Sequence, residues 1–109
     1  MEDILYKKSH FSRLGELKEH APQAFEAFVQ FDQQALAPGA LSRKQKELIA
    51  VAAAHITGCP YCIDLHTAQV KEAGASIEEV SEAIFVATAL KAGSALAHSV
   101  NAMNSYDEA

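Results

Sequence analysis

Cys59 and Cys62 are the only two cysteines of the chain, and they stand three positions apart in Cys59-Pro60-Tyr61-Cys62, with His66 four residues further on. Two thiols at this spacing can close a small disulfide ring or share a metal ion. An imidazole beside them can take up or return a proton. On a helix advancing about 100° per residue the three side chains fall at roughly 0°, 300° and 340°, within one narrow face. His66 lies one turn beyond Cys62, where side chains meet. Pro60 suits the first turn of a helix, which makes Cys59 its expected N-cap. The partial positive charge of that helix end favours thiolate over thiol, and most strongly at Cys59.

Glu47 opens the segment Glu47-Leu48-Ile49-Ala50-Val51-Ala52-Ala53-Ala54, which is apolar nearly all round. Its carboxylate is therefore expected to be buried, and a buried carboxylate is costly without a partner. A dithiol nearby could use it as a proton acceptor. A solvated charge early in a helix is the plainer alternative. His55 lies two turns on, close to the cysteines, and His98 lies near the end of the last apolar stretch. Both are secondary candidates for acid–base work, or polar residues at packed helix interfaces. Tyr61 is expected to pack over the site or at an interface. Zinc is a rival occupant: Cys59, Cys62 and His66 supply three ligands, and Glu47 a fourth. No second C-x-x-C and no H-x-x-x-H completes the usual structural set. The expectation is a site without metal or cofactor. The blandest reading of the cysteines is two small buried apolar residues.

The elements that must position these groups are helices. Leu14 and Leu17, with Ile4 and Leu5, mark a short first helix ending near His20-Ala21-Pro22. Phe25, Phe28, Val29 and Leu36 form a second stripe, which stops at Pro38-Gly39. The set Phe25, Phe28, Phe31 is expected in a core or a subunit interface. Ser42-Arg43-Lys44-Gln45 is a capping box opening a third helix, for which Gly58 is a natural stop. A fourth helix starts at Pro60 and ends before Gly74. Ser76-Ile77-Glu78-Glu79 is a second capping box and opens a fifth helix. Gly93 is expected to break or bend it, leaving a last helix to about Met103. Glu78, Glu79 and Glu82 are expected on a solvated face. No segment alternates as a strand does, so the expectation is an all-α, single compact bundle of about five to six helices.

The bulk properties narrow the class. The chain has 109 residues and suits one domain, 1–109; half its residues are apolar, and there is no tryptophan. The formal net charge of −5 and the lack of a Lys/Arg patch give a nucleic-acid partner little support, and none is expected. Met1-Glu2-Asp3-Ile4-Leu5 is acidic and unlike a signal peptide. Ala83 to Val100 is apolar enough to test as a membrane span. Lys91 at its middle, with Thr88, Ser94 and His98, points instead to a soluble core helix pair and to no membrane partner. A cytoplasmic location is expected, where a lone C-x-x-C is catalytic or metal-binding more often than structural. Small alanines and large phenylalanines together favour burial of helix faces between copies, hence a homo-oligomer.

Glu47, eleven residues, Cys59-Pro60-Tyr61-Cys62, three residues and His66 together resemble the alkylhydroperoxidase D-like branch of the carboxymuconolactone decarboxylase family. Ala73-Gly74 and the helix from Ile77 fit the same pattern. The resemblance spans about Leu41 to Val100, with residues 1–40 similar only as a leading helical segment. It implies an all-helical domain assembling as dimers, trimers or hexamers. It also implies thiol-dependent reduction of a hydroperoxide, with an external dithiol or partner redox protein regenerating the enzyme. Carried over by position, Cys62 meets the oxidant, Cys59 resolves it, and Glu47 and His66 relay the proton. The helix-end argument favours Cys59 as the more acidic thiol, so the order of attack stays open. The chain departs from the pattern at Tyr61, where well-known members carry histidine. A thiol–disulfide partner of another peroxidase is an alternative. Non-redox lactone decarboxylation, as in the branch that names the family, is another, although that chemistry needs no dithiol.

Overall fold

Helix starts and stops in the computed structural model, which describes residues 7–109, fall at the punctuation the sequence supplies. Ile4 and Leu5, assigned above to the first helix, lie outside the described residues. A 3-10 helix, Lys8–Arg13, leads into α1 (Leu14–His20). Pro22 occupies the first turn of α2 (Pro22–Leu36), which stops just before Pro38-Gly39. The Ser42 hydroxyl accepts from the Gln45 N–H at 3.1 Å and the Gln45 side chain accepts from the Ser42 N–H at 2.8 Å, a complete capping box for α3 (Arg43–Thr57).

Gly58 ends α3 in the left-handed region, φ 71°, where a Cβ costs about 1–2 kcal/mol. Cys59 follows directly as N-cap of α4 (Pro60–Glu72), so two residues form the whole joint between the helices. Gly74, φ 95°, turns the chain after α4. The Ser76–Glu79 capping box, with bonds of 3.0 and 3.1 Å, then starts α5 (Ile77–Glu108).

Packing centres on α3, which lies against both α4 and α5. One valine from each helix meets at the core: Val51 and Val70, both 0% exposed, and Val80 at 8%. Leu48, Ala75 and Ile84 close around them. The N-terminal arm is attached more lightly. The 3-10 helix touches α4, and α2, which has no buried residue, touches α3. Lys46 Nζ donates to the carbonyls of Ala35 (3.0 Å) and Ala37 (2.6 Å), tying the end of α2 to α3.

The all-α class holds, with five α-helices and no strand among the described residues. The break expected at Gly93 does not occur, and α5 runs unbroken for 32 residues. A helical glycine costs roughly 1 kcal/mol against alanine, which the strong helix formers Ala89, Leu90, Ala92, Ala95 and Leu96 around it absorb. The expected core helix pair is therefore one helix, and no residue after Ala87 is buried. By length and composition alone α5 could cross a membrane. The bundle is also more open than a compact one. Its radius of gyration is 18.1 Å, against about 13 Å for a globular chain of this length. The cause is α5, about 48 Å long at 1.5 Å per residue, whose second half extends past the helices that could cover it.

Candidate active site

Cys59 and Cys62 are joined as a disulfide, with their Cα atoms 5.2 Å apart. The ring caps α4: Cys59 Sγ accepts from the Cys62 N–H at 3.2 Å, the N-cap bond that serine or aspartate would otherwise make. The cysteine pair is thus part of the helix start itself, and both sulfurs lie where the positive end of the α4 dipole is strongest.

Glu47 is 4% exposed, one turn inside α3. The α3–α4 hairpin brings it to His66, whose Nδ1–H donates to Glu47 Oε2 at 2.7 Å. The two side chains are 5% and 15% exposed, so the bond is shielded from water. A carboxylate can only accept, which places the ring proton on Nδ1 and leaves Nε2 as the basic nitrogen of the neutral imidazole. The burial expected for Glu47 is present, and its partner is the histidine that the C-x-x-C spacing singled out.

Cys62 and His66 open into one cavity of about 810 Å³, walled by Phe11, Leu14, Leu17, Phe25 and Phe28 from the N-terminal arm. The walls are apolar, with Asp32 at the margin. A second cavity of about 330 Å³ is of mixed character, lined by Gln33, Arg43, Glu47 and Gln69 as well as by Leu36 and Pro38. His66, with Leu65 and Asp32, lines both this cavity and the apolar chamber that includes Cys62. Tyr61 stacks at a tilt on Phe11, a residue of the chamber wall, with ring centroids 5.7 Å apart.

The secondary histidines lie elsewhere. His55 Nδ1–H donates to the Val51 carbonyl at 2.8 Å, and its ring lines a cavity of about 490 Å³ between α3 and α5. His98 lines a neighbouring cavity of about 390 Å³. Both cavities are built around Lys91, and neither includes a cysteine. Among the described residues, no group of three or more His, Cys, Asp or Glu is arranged to hold a metal ion. Phe25 and Phe28 are not buried in the core of the single chain: they wall the Cys62 chamber, and Phe31, 69% exposed, is not part of its lining. Their helical spacing marked one face of α2, but nothing in that spacing said the face covers a thiol.

The described residues thus form a helical bundle with a disulfide at the start of α4 and a Glu47–His66 pair beside it. The chain is a member of the carboxymuconolactone decarboxylase family, whose model matches residues 22–105, a longer stretch than the 41–100 that the motif carries. It is 40% identical over 108 residues to the uncharacterized protein 4 in the cox locus of Paracoccus denitrificans, covering 99% of this chain and 96% of that one. A carboxymuconolactone decarboxylase family protein from Legionella pneumophila superposes with a TM-score of 0.72 at 31% identity, over 93% of this chain and 90% of that chain. A family member from Thermotoga maritima, for which involvement in an antioxidative response has been suggested, superposes with a TM-score of 0.66 at 25% identity, over 95% and 97% of the two chains.

Proposed function

We propose that the protein is a thiol-dependent peroxidase of the alkylhydroperoxidase D-like type, cycling through the Cys59–Cys62 disulfide. The carrying observation is the disulfide at the start of α4, with His66 beside it and held by buried Glu47. In the reduced protein, His66 Nε2 takes the Cys62 proton while Glu47 stabilises the charged ring. The Cys62 thiolate attacks the outer peroxide oxygen. The O–O bond breaks, the alcohol leaves with a proton from His66, and Cys62 becomes a sulfenic acid. The Cys59 thiol condenses with it and releases water. An external dithiol then returns the pair to thiols by exchange. The apolar chamber suits the organic part of a hydroperoxide, and hydrogen peroxide gains nothing from it.

A thiol–disulfide partner of another peroxidase uses the same centre and differs only in its oxidant. Lactone decarboxylation leaves the disulfide without a task. Cover for α5 by further copies of the chain, and a cytoplasmic location, complete the proposal. The test is hydroperoxide consumption by the reduced protein with a small dithiol as the sole reductant. Turnover that is lost in Cys62→Ser supports the peroxidase. Turnover retained in that variant, or appearing only when another peroxidase is added, removes it.

A further inference from the structure

Two helix ends of opposite sign flank the dithiol. The N-terminus of α4 begins at the pair, and the C-terminus of α3 ends at Thr57, two residues before Cys59. Each end carries the equivalent of about half a unit charge, felt within its terminal turn. The α4 end favours thiolate and the α3 end opposes it. The last-turn carbonyls of α3 are the source of that opposition. Ala54 O already receives the Gly58 and Cys59 N–H groups at 2.9 and 3.2 Å. Ile56 O is met by a cation from another helix: Lys91 Nζ donates to it at 3.0 Å.

Lys91 is out of keeping with its surroundings, being the only Lys or Arg of α5 and lying inside the apolar run from Ala83 to Ala97. The cavities on either side of it are lined by His55, Thr88, Ser94 and His98, with no carboxylate to neutralise it. Its bond partner is the end of the helix that delivers Cys59. We infer that Lys91 is a positioning residue for the dithiol, cancelling the negative end of α3 so that the positive end of α4 sets the reactivity of Cys59 and Cys62. The inference rests on the dithiol part of the function proposed above and on no particular oxidant. The other titratable groups of the two helices near the joint are His66 and Tyr61 on α4, and Glu47 and His55 on α3; the 3-10 helix packed on α4 adds Lys8, His10 and Arg13, the last paired with Glu16. Asp64 lies on the far face of α4, roughly 140° from Cys59. Glu47 is bonded to His66 and His55 to Val51 O. Lys91 is thus the cation that meets the α3 end.

The test is the pH profile of iodoacetamide alkylation of the fully reduced protein, read at each cysteine by mass spectrometry, for the wild type, Lys91→Met, Lys91→Gln and Lys91→Arg. Lys91→Met slows alkylation near neutral pH about two- to fivefold, the range expected for losing a charge at a helix end. It moves the midpoint upward, and the rates converge at high pH. Lys91→Gln, which keeps a donor without the charge, follows Met, and also serves if Lys91→Met fails to fold. Lys91→Arg restores the wild-type profile. Helical variants whose profiles superimpose on the wild type, or an arginine variant as slow as the methionine one, overturn the inference. Alkylation consumes no peroxide, so a chain that fails as a peroxidase but alkylates as described leaves this role of Lys91 standing.

Discussion

Glu47 acts through one bond, and its effect depends on where that bond ends. A carboxylate 2.7 Å from Nδ1 fixes the tautomer of His66 and turns Nε2 outward, which in the proposed cycle is the atom that takes the Cys62 proton. Glu47→Gln keeps the size of the side chain and removes the charge. Its kcat/KM for hydroperoxide is expected to fall about 10²-fold, the low end of general acid–base contributions, while a disulfide oxidant still closes the Cys59–Cys62 ring. Steady-state kinetics and a thiol assay on the same variant separate the two effects. The grouping of these four residues was legible in the sequence because spacing on adjacent helices fixes it: a helix period for Cys59, Cys62 and His66, and a tight joint for Glu47. His55 and His98 were not placeable. Their positions depend on how α5 lies across α3, and no local pattern encodes that crossing. Lys91 looked only like an argument against a membrane span, because its partner is a backbone carbonyl, which sequence does not mark.

At the scale of the elements, the joint between α3 and α4 carries the most consequence per residue. Gly58 has open space where a Cβ would stand, so Gly58→Ala meets no clash and its cost is the positive φ alone. That is about 1 kcal/mol, expected as a fall in melting temperature of roughly 4–8 °C for a domain this small. Calorimetry of the reduced and oxidised forms checks it. At the start of α5, the Lys44 ammonium 2.8 Å from Glu79, and then the Ser76 N–H, hold the Glu79 carboxyl below the usual carboxylate range. A carboxyl lowered on folding stabilises the protein above its unfolded value and loses that effect as pH falls through the folded one. The stability difference between the wild type and Glu79→Gln is therefore present at pH 7 and closes below about pH 4; denaturant melts at several pH values measure it. The gap is small, because the pair is well exposed to solvent. Both capping boxes and the Gly58 stop were readable, since caps are chemical signals local to a few residues. The absent break at Gly93 shows the limit of such signals: a glycine weakens a helix by an amount its neighbours can outweigh.

The molecule as a whole leaves apolar surface that one chain cannot cover. Leu90, Leu96 and Met103 are each more than half exposed along α5, and a helix apolar on all sides is ordinarily enclosed. Sequence could not separate burial within one chain from burial between copies, because both leave the same run of alanines and leucines. The compact bundle it suggested is, in the single chain, an open one. Light scattering is expected to give a multiple of the 11.7 kDa chain mass. Leu96→Glu, at a site 76% exposed in the single chain, should disrupt the assembly while leaving the fold of α3 and α4 intact. A wild type that runs as a monomer, or an assembly indifferent to that substitution, contradicts the oligomer.

In the function proposed above, Cys59 and Cys62 form a working dithiol that organic hydroperoxide oxidises. The most direct measurement is a thiol count on the native reduced protein before and after one equivalent of an organic hydroperoxide, with zinc content read on the same sample. Two reactive thiols are expected in metal-free protein, both lost together as the Cys59–Cys62 disulfide forms. Two thiols that persist after peroxide, or that are masked by stoichiometric zinc, contradict it.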